Sequence, residues 1–179
     1  MKKTLIVIIF ITSSIIAQKH SLDIDTSKSF VKYTGFHILH NWSGQSNNIS
    51  GIIYIDETRP SESEVKISIP IFSFDSKNGN RDSNMLFVTD EDIYPNVTFL
   101  SNEISQIDQS VYNVSGILNF HGIKKAISIP VIVYIDSNSI EFKSNFSINL
   151  IDFHIDRPKL LLSPIKKSIE IELHITGVL

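Results

Sequence analysis

Eight short runs of alternating apolar and polar residues constrain this chain more than any other feature of its sequence. They cover residues 30–36, 49–55, 65–72, 97–100, 111–120, 127–135, 140–149 and 169–175. Alternation with a period of two puts successive side chains on opposite faces, so each run reads as a strand with one buried face. Turn-forming residues separate the runs, at 56–61, 108–110, 121–122 and 136–138. Strands this closely spaced pair as antiparallel hairpins, which implies a sandwich or a barrel. Pro70 and Pro130 fall inside two runs, and a proline cannot donate to a ladder. Each should therefore mark an edge, a bulge or a strand end. Residues 80–87 do not alternate, and a short helical segment near 80–92 is expected there. The expected fold is all-β: an eight-stranded antiparallel barrel in a single domain over residues 18–179.

The N-terminus carries a different signal. Lys2 and Lys3 precede an unbroken apolar run at 5–11, and Ile15-Ile16-Ala17 comes just before a polar stretch. A basic start, a short apolar core and a small residue read as a secretory signal peptide, with cleavage expected after Ala17. The run falls well short of the roughly 20 residues a spanning helix needs. No stable membrane insertion and a periplasmic or secreted product are expected. The chain has no cysteine, so it has neither disulfides nor thiolate chemistry. Its net charge is −3 with 16 basic and 19 acidic residues; without Lys2 and Lys3 it is more acidic still. Such a surface repels a phosphate backbone, so nucleic acid is not an expected partner. No run of Lys or Arg is long enough to read as a membrane-surface patch.

Four stretches carry a family resemblance. The first is Phe30-Val31-Lys32-Tyr33 with the turn Trp42-Ser43-Gly44 and then Ile49-Ser50-Gly51. The second is Asn80-Arg81-Asp82-Ser83-Asn84-Met85-Leu86, followed by Tyr94-Pro95-Asn96-Val97-Thr98-Phe99. The third is Gly116-Ile117-Leu118-Asn119-Phe120-His121-Gly122, and the last is Phe153-His154-Ile155-Asp156-Arg157-Pro158. In this order the chain resembles the YceI-like family, bacterial lipocalin-like proteins that bind polyisoprenoid lipids. The resemblance implies a lipocalin-like barrel with an apolar pore, an exported location, and an isoprenoid or other amphiphilic lipid as partner. It is also compatible with a homodimer. It implies a binding protein with no cofactor rather than an enzyme. The chain departs from the family pattern at Asn84 and Met85, where a histidine often stands before the leucine, and at Phe87, where an acid is common.

An eight-stranded barrel can hold one small ligand or fill itself with side chains, and alternation alone does not separate the two. If it is hollow, the candidate wall is Phe30, Phe36, Trp42, Ile53, Phe72, Phe74, Met85, Phe99, Phe120, Phe142 and Phe146. Arg81 and His121 are the candidate head-group contacts. The competing role for Arg81 is to pin the helical turn, with Asp82 as its cap. If the barrel is filled, the protein is an interaction or structural module of the envelope. A metal-dependent hydrolase would need His37, His40, His121 or His154 to converge. Two histidines three apart on a strand face opposite ways, so a solvated turn is expected at 37–40. The acids Asp90, Glu91 and Asp92 are expected in a solvated loop.

Overall fold

The alternating runs fold into strands that wrap into a closed wall. The computed structural model describes residues 20–56, 59–160 and 162–178. The expected signal peptide, residues 1–17, lies outside these. The strands are β1 (His20–Ile24), β2 (Phe30–Phe36), β3 (Asn41–Ser46), β4 (Ser50–Ile55), β5 (Glu64–Pro70), β6 (Asn96–Asp108), β7 (Val111–Phe120), β8 (Ile123–Asp136), β9 (Ser139–Asn149) and β12 (Ser168–Val178). A small hairpin, β10 (Lys159–Leu160) and β11 (Ser163–Pro164), lies in the last connection. One helix, α1 (Gly79–Val88), lies between β5 and β6.

All pairings are antiparallel, in the order β1-β4-β5-β6-β7-β8-β9-β12, and β12 returns to β1 to close the ring. β2 continues β1 along the same partner: β12 pairs residues 170–174 with β2 and residues 177–178 with β1. β3 pairs with β2 in the same way that β4 pairs with β1. The wall is therefore an eight-stranded barrel whose first two strands are each broken once. All eight expected strands are present, together with β1, β3 and the β10–β11 hairpin, which the alternation did not reveal. α1 is followed by turns, so the expected helical segment is shorter than 80–92.

β6 is much longer than expected, 13 residues instead of four. Its register shifts between Ser101 and Glu103, where Asn102 is an extra residue opposite β7. A bulge of this kind breaks the period of two while the strand continues. Val97 and Phe99 face inward before it and Ile104 faces inward after it, so the sequence pattern stops at Leu100 although the strand does not. The two prolines sit where their chemistry allows. Pro70 ends β5. At Pro130 the β8–β9 ladder gives out, since those strands pair only from Ile132–Lys143 to Asp136–Ser139.

The inward faces form the core. Val31, Ile53, Ile67, Ile69, Ile140 and Ile175 are buried in one cluster, and Ile71, Leu118, Phe120, Ile148, Leu150 and Phe153 in another. One end of the barrel carries α1, the β2–β3 turn, the β7–β8 turn and the long β9–β12 connection. The opposite end carries Asp56, residues 59–63 and the tight turns after β6 and β8.

Candidate functional site

The interior is hollow. A cavity of about 500 Å³ runs along the barrel, a volume typical of small-molecule sites. Its wall comes from the inward positions of β2 to β9 and β12, such as Ile53, Ile67, Val114, Val131, Phe142 and Ile171. At the far end Asp56, Pro60 and Ser63 form the floor. Asp56 is buried there and its carboxylate accepts from the Arg59 backbone N–H (2.8 Å) and guanidinium (3.1 Å).

The polar side chains near the helix end are Tyr33, Trp42, Arg81, Asn84 and Thr89, the last with its hydroxyl donating to the Met85 carbonyl at 2.8 Å. Trp42 lies across Gly35 of the paired strand, at a site where any Cβ would collide with the indole. Tyr33 covers Gly44 in the same way. These two glycines let the rings lie flat against facing strands, so both turn toward the cavity. The Arg81 guanidinium stands over the Trp42 ring at 5.7 Å, within range of a cation–π attraction. It also donates to the Ser76 carbonyl (3.3 Å). Burial raises the Tyr33 pKa and the Asp82 charge adds to this; Arg81 and a hydrogen bond from Trp42 pull the other way. Tyr33 therefore remains a neutral phenol, able to donate or accept. The result is a long apolar chamber with one cationic, hydrogen-bonding end.

α1 positions Arg81. Asn78 caps the helix by accepting from the Arg81 N–H at 3.1 Å. Asp82 is thus not the cap. Its carboxylate accepts instead from the Ser76 N–H (3.1 and 3.3 Å), which ties the helix to the preceding loop.

Trp42, Ile53, Phe74, Met85, Phe99, Phe120, Phe142, Phe146 and Arg81 all line the cavity. Phe30, Phe36, Phe72 and His121 do not. In β2 the inward residues are Val31, Tyr33 and Gly35, so Phe30 and Phe36 face outward. Phe30 packs on His174, and Phe36 lies under the Lys166 ammonium at 5.4 Å. Choosing the face richer in phenylalanine selects the wrong side of that strand. The family motif at residues 30–33 contained Tyr33, and its parity with Val31 was the usable signal. Phe72 lies beyond the end of β5 and is 62% exposed.

His121 and Gly122 form the two-residue turn between β7 and β8, both with positive φ (52° and 72°). This is the geometry of a type I′ hairpin. The His121 ring points away from the cavity. Its Nδ1 meets the Phe153 carbonyl oxygen at 2.8 Å and its Nε2 meets the Asp90 carboxylate at 2.9 Å, with Tyr94 edge-on at 5.2 Å. His121 is therefore a clamp between loops rather than a head-group contact. Asp90 itself is exposed, as expected for its loop.

His37 is buried, not solvated as expected, while His40 is exposed. The His37 Nε2 donates to the Ser163 carbonyl (3.2 Å) and its Nδ1 accepts from the Leu39 N–H (3.3 Å). Both ring nitrogens are thereby occupied. Among the described residues no three His, Asp or Glu side chains gather as a metal site would need.

The fold and this chamber define a class: an antiparallel eight-stranded lipocalin-like barrel with a lined, apolar interior. The YceI-like domain profile matches residues 22–177, and the chain belongs to that family. Among curated relatives, a UPF0312 protein of Pectobacterium carotovorum is 25% identical over 99% of this chain and 98% of its own length. Protein YceI of Salmonella newport is 23% identical over 98% and 94%. Among solved structures, Burkholderia cenocepacia BcnA superposes with a TM-score of 0.80 at 22% identity, over 86% of this chain and 99% of that one. A polyisoprenoid binding domain from Saccharophagus degradans, implicated in plant cell wall breakdown, does so with 0.70 at 15% identity, over 88% and 97%. At these identities the structural likenesses establish the fold.

Proposed function

We propose that this protein is an exported carrier or sequestering protein that holds one long apolar chain, such as an isoprenoid, in the barrel interior. The observation that carries this reading is the hollow, apolar chamber of about 500 Å³ with a single cationic end at Tyr33, Trp42 and Arg81. Each buried methylene contributes about 0.8 kcal/mol, so ten carbons give roughly 8 kcal/mol before the costs of immobilising the chain. The polar end fixes which way the amphiphile lies, because Arg81 and Tyr33 suit a head group that accepts hydrogen bonds. Family membership and the polyisoprenoid binding reported for the Saccharophagus domain support the same reading. The role is binding, with no catalytic step. Release from the cytoplasm rests on the N-terminal signal at residues 1–17.

The test is organic extraction and mass spectrometry of protein purified gently from its native host. A stoichiometric isoprenoid or other long-chain amphiphile is the expected result. Protein that comes out empty and takes up no such lipid when offered it would overturn the proposal.

A further inference from the structure

The end of the barrel that carries α1 exposes apolar side chains where a water-facing surface gains nothing from them. Leu162, at the tip of the β10–β11 hairpin, is 96% exposed, and Ile38 and Leu39 in the β2–β3 turn are 77% and 59% exposed. Leu162 also holds a positive φ of 69°, a conformation in which glycine or asparagine is far cheaper than leucine. Local geometry and solvation both disfavour a leucine there, which points to a partner that covers it.

The two tips form one surface. The Lys166 N–H donates to the Phe36 carbonyl at 2.8 Å, and the His37 ring donates to the Ser163 carbonyl. The Arg157 guanidinium braces the hairpin from beneath through the Ile165 carbonyl (3.0 Å). The surface borders the chamber directly, since Gly35 and Trp42 at the strand ends beside the β2–β3 turn, and Pro158 and Ile165 beside the hairpin, all line it.

Its charge selects the partner. From Arg157 to Ile169 the sequence holds Arg157, Lys159, Lys166 and Lys167 and no acid, with Asp156 and Glu170 just outside this stretch, and the three lysines are exposed. Exposed apolar tips beside these lysines match the interface of an anionic bilayer, where each lysine near the surface adds attraction and the apolar tips enter the acyl boundary. The opposite end also exposes apolar residues, Ile107 and Ile135. Those adjoin Asp108 and Asp136, so an anionic surface repels that end. Only Lys166 and Lys167 among these are consecutive, too few to read as a basic run in the sequence; the hairpin turns the chain back on itself between Lys159 and Pro164.

We propose that the tips at residues 37–40, 159–160 and 162–167 are a docking surface that seats the chamber mouth on a bilayer containing anionic lipid. Its purpose rests on the carrier reading, but docking is read without any ligand, so either can fail alone. The absence of cysteine gives a clean probe. Leu162→Cys, and Ser137→Cys at the far end, are each labelled in the full chain with an environment-sensitive nitrobenzoxadiazole dye. They are mixed with phosphatidylcholine vesicles with and without phosphatidylglycerol. The expected result is a blue shift and brightening at 162 only, strongest with phosphatidylglycerol and reversed by salt. Replacing Lys159, Lys166 and Lys167 with Glu lowers vesicle binding by about a hundredfold. Three results overturn the proposal. One is no vesicle-dependent change at 162, and another is an equal change at 137. The third is a shift that needs only higher protein concentration, which would mean a second copy of the chain covers the tips.

Discussion

His121 occupies a turn position that asparagine or glycine would fill with less strain, and its ring explains the exception. A carbonyl oxygen and a carboxylate face its two nitrogens, and both are acceptors, so the paired form carries both protons. Burial works against that charge, but the hydrogen bonds to Asp90 and Phe153 and the charges of Asp90 and Asp156 outweigh it and raise the pKa above its ordinary value. The folded protein thus holds the proton more tightly than the unfolded chain, whose histidine titrates near about 6.5. The stabilisation is complete below that value and is lost as pH rises through the raised folded pKa. Melting temperature should therefore fall across this window. In His121→Asn that fall should be much reduced, because asparagine before glycine keeps the type I′ turn and removes the titrating clamp. Thermal melts of both proteins between about pH 6 and 8 check this; parallel curves would count against the clamp.

At the scale of elements, the weak place in the wall is where β8 and β9 part. The ladder ends at Ile132–Lys143, and the next contact is the Ser144 hydroxyl donating to the Pro130 carbonyl at 2.6 Å. Ser144 is only 4% exposed, so its hydroxyl is held in place on the inner side of this junction. Ser144→Ala should destabilise the fold by about 1 kcal/mol, the net contribution of one part-buried hydrogen bond. Urea unfolding should show this as a lower midpoint with an unchanged slope. The same junction shows how proline was legible: a missing donor in a strand run marks an interruption of the ladder. The Asn102 bulge was not legible, since an extra residue in a strand looks in sequence like the end of the strand.

For the whole molecule, a hollow barrel makes stability and occupancy one question. Val114 and Val131 face the chamber from neighbouring strands. Both pack with Ile129 against Phe99, Phe142 and Phe146, and a phenylalanine at either position extends from that layer into the chamber. Val114→Phe and Val131→Phe should keep the melting temperature of the empty protein near wild type while lowering uptake of a long isoprenoid by about tenfold or more, read by binding of a fluorescent polyene analogue. Bound lipid should also raise the melting temperature of the wild type with concentration, as any ligand specific to the folded state must. Extraction should lower it and re-addition restore it.

The amino-acid sequence by itself determined the strand class, the antiparallel order, the interruptions at Pro70 and Pro130, the tight turn at 121–122 and the family. Each is local: alternation, a missing N–H, a positive φ, or a motif at fixed spacing. Tertiary structure alone decided which face of β2 points inward, that Asn78 rather than Asp82 caps α1, and that His121 clamps loops instead of meeting a ligand. It also decided that the barrel is hollow and that distant lysines and leucine tips share one surface. These depend on the curvature and closure of the wall, which bring together residues up to more than a hundred positions apart, as Lys32 and Glu172 are joined at 2.8 Å. No period or motif within one segment encodes the space left between eight of them.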